Sequence, residues 1–237
     1  MKKTRGLIIA SILLTVCIAQ ELKVRTFPIP LMVVNKTEGV FVELTKEIFS
    51  RANLDMDLSI SSPMKMMSDF AKGNIDVTFP ALDVNFVNMA QPLKSAEIYT
   101  KRDFIFTTKG NGMLSDIADL EGKKIGITKG YPYAAKLMNN KKIKLVYADT
   151  DAINARKLIA GRIDAFVVEE KSGLAAFKSL ELTTEMQYNP KKPFSLQQVY
   201  YAIRKGANSK ENILKISKAI NAIKADGTFG KIMSKAN

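Results

Sequence analysis

Any chemistry in the main part of this chain falls to carboxylates, lysines and tyrosines. The single Cys of the 237 residues is Cys17 and there is no His, so residues 20–237 contain neither type. This composition excludes disulfides, Cys nucleophiles, Ser-His-Asp triads and metal sites built from His or Cys. We therefore expect no metal and no cofactor, and any catalysis would depend on Asp, Glu, Lys or Tyr side chains.

One sequence pattern occurs twice, as Phe70-Ala-Lys-Gly-Asn-Ile-Asp-Val-Thr-Phe79 and as Leu158-Ile-Ala-Gly-Arg-Ile-Asp-Ala-Phe-Val167. Each copy predicts a helix that ends at a left-handed Gly and a short buried strand opened by Ile-Asp. The two glycines are 88 residues apart (161 − 73), well beyond a repeat period of about 20–50 residues. The pattern indicates two equivalent α/β units, and hence two lobes with a cleft. A chance match between two common helix–Gly–strand junctions is the alternative.

The first 19 residues have the composition of a secretory signal peptide. Lys2, Lys3 and Arg5 precede an apolar run that ends at Ala19, and this run is too short for a membrane span of about 20 residues. Small residues before Gln20 suit cleavage there, which predicts export to the periplasm. A retained membrane anchor and a lipoprotein cleaved before Cys17 are the alternatives.

The charge balance is basic but does not indicate nucleic acid. Residues 1–19 carry three cations and no anions, so the remaining chain has 33 Lys and Arg against 23 Asp and Glu, a net charge of +10. The lysines are scattered and there is no Trp, whereas nucleic-acid surfaces cluster their cations beside aromatic platforms. We expect a solvated basic surface and a monomer.

Strands and helices are predicted to alternate along the chain. This order is typical of mostly parallel α/β sheets, in which ligands sit beyond the carboxyl ends of the strands. Ser62-Pro63 predicts a capped helix start, and Asn208 with Glu211 predicts a capping box on the last helix. Strands are predicted at 22–27, 56–60, 75–79, 103–107, 124–128, 144–147, 163–167 and 198–204.

Five motifs, in order and spacing, resemble the bacterial extracellular solute-binding proteins of family 3, the polar-amino-acid receptors of ABC importers. The resemblance covers almost all of residues 20–237. The motifs are Gly39-Val-Phe-Val-Glu43, Phe70-Ala-Lys-Gly-Asn-Ile-Asp76, Asp119-Leu-Glu-Gly-Lys-Lys-Ile-Gly-Ile-Thr-Lys-Gly130, Leu158-Ile-Ala-Gly-Arg-Ile-Asp164 and Ile223-Lys-Ala-Asp-Gly-Thr-Phe-Gly-Lys-Ile232.

The resemblance implies an α/β, two-lobed periplasmic-binding-protein-like fold with mostly parallel sheets and two hinge strands. On this basis, residues 20–103 with 203–237 are expected to form lobe 1, and residues 104–202 lobe 2. The lobes would close on a small-molecule ligand, and a membrane permease or a membrane sensor would be the protein partner.

The resemblance also places the ligand-binding positions, and several depart from the family pattern. Where amino-acid binders have Gly-Met-Thr and then an Arg that binds the ligand carboxylate, this chain has Ala81-Leu82-Asp83 and Asn88. At the following helix start, where the family offers free amides to an anion, it has Tyr131, Pro132 and Tyr133. The Asp expected to bind the ligand ammonium corresponds to Glu169.

These departures predict a site that keeps its cation-binding half and loses its anion-binding half. We expect Asp83 and Glu169 to hold a small polar or cationic ligand, with Tyr131 or Tyr133 as a stacking wall. Lys94, Lys101 and Arg102 remain open as substitutes for the missing Arg. For the carboxylates the alternative is a solvated rim position or a helix N-cap, and for the tyrosines it is ordinary packing.

Three functions follow, and the first is the one we expect. It is a periplasmic solute-binding protein, not an enzyme, that serves an ABC-type importer of an amino acid or a cationic amine. The second is a module that senses a ligand for a membrane signalling protein. The third is a His-free periplasmic enzyme of dehydratase type on the same fold, with Glu169 as acid or base.

Overall fold

The computed structural model of the protein describes residues 21–236, so the predicted signal peptide lies outside the described residues. The strands are β1 (Leu22–Thr26), β2 (Met56–Ile60), β3 (Val77–Ala81), β4 (Leu93–Lys94), β5 (Tyr99–Thr108), β6 (Lys124–Thr128), β7 (Lys144–Ala148), β8 (Ala165–Glu169), β9 (Met186–Gln187) and β10 (Ser195–Ile203). The α-helices are α1 (Val40–Ala52), α2 (Pro63–Lys72), α3 (Ala135–Met138), α4 (Asp151–Ile159), α5 (Glu170–Ser179), α6 (Ser209–Ala225) and α7 (Thr228–Met233). Within this part of the chain, no helix has the length and apolar character needed to cross a membrane.

Two parallel three-stranded groups are joined by two long antiparallel strands. The strand order is β2-β1-β3-β10-β5-β8-β6-β7. β1 pairs in parallel with β2 and β3, and β6 pairs in parallel with β7 and β8. Between the named strands of residues 21–236, each antiparallel pairing involves β5 or β10. These two strands pair with each other over residues 99–103 and 195–199, and they are the hinge strands.

Buried apolar side chains divide into two sets, one on each side of the hinge strands. One set draws on residues 22–98 and 199–236 and surrounds β1, β2 and β3. The other draws on residues 104–194 and surrounds β6, β7 and β8. We call these bodies lobe 1 and lobe 2. The predicted two-lobed α/β fold is thereby confirmed.

The two predicted glycine junctions have the same backbone geometry. Gly73 ends α2 with φ +78°, and Gly161 follows α4 with φ +66°. In each copy the glycine N–H donates to the carbonyl three residues earlier, and the next N–H donates to the carbonyl four residues before the glycine. The distances are 3.2 and 2.9 Å in the first copy and 3.0 and 2.9 Å in the second. Both helices therefore end in the motif that the glycines predict.

The Asp that follows each junction fixes the first strand of its lobe. Asp76 Oδ2 accepts the N–H of Lys23 at 3.0 Å, and Asp164 Oδ2 accepts the N–H of Lys124 at 2.7 Å. In return, the N–H of Asp76 donates to the Lys23 carbonyl and that of Asp164 to the Lys124 carbonyl. Each Asp thus holds the start of β1 or β6 in register with the strand that it opens. The duplicated pattern has one structural role in both lobes.

Gly161→Ala is expected to destabilise the protein by about 1 kcal/mol, because an L-residue is disfavoured at this left-handed φ. A Cβ at Gly161 would contact no atom within 4 Å, so the loss comes from the backbone alone. Gly230→Ala is the matched control: Gly230 lies inside α7, also in open space, where Ala is favoured by about 0.5–1 kcal/mol. Denaturant unfolding of both variants measures the difference, and equal effects would contradict the prediction.

Candidate functional site

The carboxyl ends of β6, β7 and β8 bring polar side chains to one edge of lobe 2. β6 lies between β7 and β8. Thr128 ends β6, Tyr131 follows it, Asp151 begins α4 just after β7, and Glu169 ends β8. Because ligands bind beyond the carboxyl ends of parallel strands, this edge is the candidate site.

Asp151 is held at this edge by two hydroxyl groups. The hydroxyl of Thr128 donates to Oδ1, and the hydroxyl of Tyr131 donates to Oδ2 at 3.2 Å. Beneath them, the amide of the fully buried Asn154 donates to Thr128 Oγ1 at 3.1 Å. Burial raises the pKa of the Asp151 carboxyl, and the hydrogen bonds from Thr128 and Tyr131 counteract that rise. The carboxylate is therefore positioned by neutral donors.

Glu169 is half-buried and is the N-cap residue of α5. Its Oε2 accepts the N–H of Ser172 at 2.9 Å, which is the N-cap role considered as an alternative from the sequence. Its Oε1 has no hydrogen-bond partner among residues 21–236. Glu169 lies directly opposite Asp103 across the β5–β8 ladder, so the two side chains share one face of the sheet. One oxygen of Glu169 is thus available to a ligand.

The two predicted tyrosines lie in different environments. Tyr131 is half-buried beside Asp151, and its pKa is raised by burial, then by the charge of Asp151, and less by that of Glu169. Both negative charges therefore disfavour ionisation of the Tyr131 hydroxyl. Tyr133 is 5% exposed in the core of lobe 2, and its hydroxyl accepts the N–H of Thr128 at 2.8 Å. The structure brings Tyr131 to the candidate site and places Tyr133 behind it, in the packing role.

Asp83 lies in lobe 1, where its charge is already matched. Its side chain is 73% exposed and its Oδ1 lies 2.6 Å from Lys94 Nζ. The hydroxyl of Tyr200 donates to the same oxygen at 2.7 Å. The hydrogen bond from Lys94 lowers the pKa of the carboxyl, and that from Tyr200 lowers it further. Asn88 is exposed in the turn after the 3-10 helix Asp83–Phe86.

The three cations considered as substitutes for the missing Arg all have carboxylate partners within this chain. Lys94 pairs with Asp83, as described above. Arg102 points to the outer face and pairs with Glu170. Lys101 pairs with Asp103 on the inner face of the hinge. The charge of each cation is therefore already matched, in part, by a carboxylate of this chain.

A buried ion pair lies on hinge strand β5, in the segment that pairs with β10. Lys101 is 8% exposed and Asp103 is 1% exposed. Lys101 Nζ also donates to the carbonyl of Pro132 at 3.2 Å. From the other hinge strand, Ser195 Oγ and Gln197 Nε2 donate to Asp103 Oδ2 at 2.7 and 3.0 Å. This network attaches the loop that carries Tyr131 to both hinge strands.

The lobes approach each other beside the candidate site. A Cβ added at Gly130, in the loop after β6, would lie 3.9 Å from Pro63 Cγ at the start of α2. The edge of lobe 2 therefore faces the N-terminus of a lobe 1 helix. A surface cavity of about 390 Å³ lies elsewhere, at the start of α6, and it contains none of the site residues described above.

Asp151 is not among the site residues predicted from the sequence. The residue follows Thr150, which caps α4 by accepting the N–H of Ile153, so Asp151 has the sequence context of an ordinary first-turn acid. A signal was nevertheless present, because Asp151 comes directly after a predicted parallel strand, where ligand-binding side chains gather.

Two α/β lobes joined by two paired hinge strands, with polar side chains at the strand ends of lobe 2, are the architecture typical of proteins that close on a small molecule. The sequence profile of the bacterial extracellular solute-binding proteins, family 3, matches residues 23–236, and the chain belongs to this family. The resemblance described from the motifs is confirmed.

Known proteins similar to this chain agree with that family. The L-cystine-binding protein TcyJ of Escherichia coli (strain K12) is 27% identical over 208 residues, covering 84% of this chain and 74% of its own. Among solved structures, an ancestral arginine-binding protein bound to arginine has a TM-score of 0.68 at 23% identity and covers 91% and 97% of the two chains. A histidine kinase sensor domain similar to periplasmic binding proteins has a TM-score of 0.71 at 21% identity, with coverages of 91% and 95%. At these identities the two structures show the fold.

Family membership confirms the general function expected from the sequence. The chain is a solute-binding protein of an extracellular family. Because the family is one of binding proteins, a binding role is favoured over the dehydratase alternative.

Proposed function

We propose that the protein is exported to the periplasm and closes on a small polar or cationic solute, which it delivers to the membrane permease of an ABC importer. An amino acid with a basic side chain or an amine is the ligand class. The similarity to a cystine-binding protein supports an amino-acid ligand, and the fold is shared with a protein that binds arginine, an amino acid with a basic side chain. The predicted signal peptide, residues 1–19, is part of the proposal.

The observation that carries the proposal is a local excess of negative charge in lobe 2. Among residues 21–236, neither Asp151 nor Glu169 forms an ion pair with Lys or Arg. The nearby cation Lys101 is already paired with Asp103. A carboxylate at the facing edge of a closing protein is therefore available to a ligand ammonium, and such charge-assisted hydrogen bonds are worth about 1.5–3 kcal/mol each.

We propose that the chain passes between the lobes within β5 and β10, with lobe 1 formed by residues 20–103 and 203–237 and lobe 2 by residues 104–202. Pairing of residues 104–106 with β8 supports the first crossing. Pairing of Tyr200 and Ala202 with β3 supports a second crossing within β10.

Cationic ligands are expected to raise the melting temperature of the full chain lacking its signal peptide, and dicarboxylates are not. Glu169→Gln should weaken binding about tenfold to a hundredfold, which is the effect of losing one charge-assisted bond. The Gln oxygen can still accept the N–H of Ser172, so the helix cap is kept. Thermal shift and calorimetric titration with amino acids, amines and dicarboxylates make the measurement.

Glu185→Gln is the matched control, because Glu185 is an exposed carboxylate of the same lobe outside the site. Stabilisation by dicarboxylates alone, or equal binding by the two variants, would contradict the proposed cation site.

Delivery to a permease is tested separately from binding. A module that senses the same ligand for a membrane signalling protein would share this site and differ in its partner. Uptake of the labelled ligand should be lost on deletion of the gene for this chain. Normal uptake with a lost transcriptional response would favour sensing.

A further inference from the structure

Six cations gather at the end of lobe 2 opposite the candidate site. β6 is the parallel neighbour of β7 and β8, so the amino ends of the three strands share one edge of the sheet. That edge is roughly 16 Å from the carboxyl ends of the same five-residue strands. The segments around the strand starts are residues 121–124, 139–144 and 161–164, and they hold six Lys and Arg against two Asp and Glu, a net charge of +4. We call this surface the basic face.

Most cations of the basic face are exposed and have no carboxylate partner among residues 21–236. These are Lys124, Lys141, Lys144 and Arg162. The two carboxylates of the face are already engaged elsewhere. Glu121 pairs with Lys142 at 2.9 Å, and Asp164 Oδ2 accepts the backbone N–H of Lys124 at 2.7 Å. The positive charge of the face is therefore not neutralised within the described chain.

Lys124 and Lys144 lie side by side in the β6–β7 ladder. Residues in register on neighbouring parallel strands project to the same side of the sheet, and the strands are about 4.8 Å apart. Like charges in such a pair destabilise the sheet. An anionic partner would remove this repulsion when it binds, so the arrangement is unfavourable in the free chain and favourable in a complex with an anion.

The composition of the basic face and the location of the family favour a membrane as the partner. Residues 121–124, 139–144 and 161–164 contain no aromatic residue, whereas surfaces that bind single-stranded nucleic acid combine cations with aromatic platforms. The family is extracellular and bacterial, and anionic phospholipid is an extended negative surface outside the cytoplasm. Each Lys or Arg close to such a bilayer strengthens binding about fivefold.

We propose that the basic face docks the protein on a bilayer that contains anionic phospholipid. The carboxyl ends of β6, β7 and β8 then point away from the bilayer, so the candidate site remains open to solvent in the docked protein. Docking holds the receptor close to the membrane without occupying its ligand site. This inference adds to the proposed function and does not depend on which ligand binds.

Vesicles of mixed phosphatidylglycerol and phosphatidylcholine test the proposal, with pure phosphatidylcholine vesicles as the comparison. Residues 20–237 should sediment with the anionic vesicles at low salt and remain in solution with the neutral ones. Added salt should weaken binding, because it screens charges beyond about 10 Å at 0.1 M. Neutralising Lys124, Lys141 and Lys144 together, each to Gln, should weaken binding about a hundredfold, from three steps of about fivefold.

The matched control neutralises three exposed lysines of lobe 1 and changes the net charge by the same amount. It combines Lys46→Gln in α1 with Lys210→Gln and Lys218→Gln in α6. Its binding to the anionic vesicles should stay close to that of the unchanged protein. The melting temperature should not fall in either triple variant, because all six side chains are exposed.

The outcomes distinguish this inference from the proposed function. Equal binding to neutral and anionic vesicles, or equal weakening in the two triple variants, would overturn the docking proposal. Binding to soluble polyphosphate without binding to anionic vesicles would also overturn it, and would show a general anion surface instead. The receptor function would stand in each case, because thermal-shift titration of ligands tests the other end of lobe 2 without vesicles.

Discussion

Asp103→Ala is expected to lower the free energy of unfolding by about 3–5 kcal/mol, because it leaves the buried ammonium of Lys101 without its partner. Both side chains are less than one-tenth exposed, so water cannot replace the lost carboxylate. The variant also leaves the hydroxyl of Ser195 and the amide of Gln197 without their acceptor. Denaturant unfolding gives the magnitude.

An exposed ion pair and a double variant provide the comparison for Asp103. Asp149→Ala breaks the solvent-exposed pair with Lys129, and such pairs contribute about 0–1 kcal/mol. Adding Lys101→Met to Asp103→Ala removes the unpaired buried charge, so it should recover part of the lost stability. A loss for Asp103→Ala no greater than that for Asp149→Ala would show that the hinge network does not stabilise the fold.

Phe79→Ala is expected to cost about 3–5 kcal/mol, the usual loss for a buried phenylalanine. Phe79 is 1% exposed in the core of lobe 1. Its ring stacks on Tyr201 of β10, with centroids 4.1 Å apart and planes 16° apart, and it packs on Phe41 at 5.0 Å. The hydroxyl of Tyr201 is 2.8 Å from Thr45 Oγ1 in α1. These contacts hold the helix, the parallel strands and the hinge strand together, so the cavity cannot close without shifting one of them.

Phe229→Ala is the control for Phe79, since Phe229 lies half-buried at the edge of the same core. We expect a loss of about 1 kcal/mol there, because less apolar surface returns to water. Calorimetric or denaturant unfolding of both variants measures the difference. Similar losses would mean that the aromatic stack is not the centre of lobe 1.

The architecture was predictable from local patterns that repeat. The glycines at 73 and 161 and the aspartates at 76 and 164 have one conformation and one bonding role each, so short-range chemistry was sufficient to reveal two equivalent units. The bounds of β2 and β6 were predicted to the residue. The strands after Asp76 and Asp164 were predicted to start two residues too early. Each Asp hydrogen-bonds to the neighbouring strand just before the regular strand pairing begins.

Of the two helix caps predicted from local sequence, one is confirmed and the other is replaced by a different side-chain contact. Ser62 caps α2 as predicted, by accepting the N–H of Lys65 at 3.3 Å. The capping box predicted for α6 is wrong. Asn208 has a left-handed backbone with φ +59° and makes no side-chain cap, and Glu211 pairs instead with Lys215 one turn further on.

The candidate site was only partly predictable, because its arrangement depends on the sheet. Glu169 and Tyr131 could be selected from the family pattern, and the structure brings them to one edge. The pairing of Asp83 with Lys94 and Tyr200 joins distant parts of the chain, and no local pattern indicates it. Asp151 could be placed at the candidate site only from the strand order, in which β6 lies between β7 and β8.

The hinge strand β10 has a consequence for the order in which the polypeptide acquires its shape. The core of lobe 2 is built from one continuous stretch, residues 104–194, whereas lobe 1 needs β10 and α6 from residues 195–236 in addition to residues 22–98. As the chain is made from its N-terminus, lobe 2 can be completed while lobe 1 still lacks a strand and a helix. Long-range pairings of this kind form slowly. The last forty or so residues to emerge are therefore the ones that complete the half of the protein that began first.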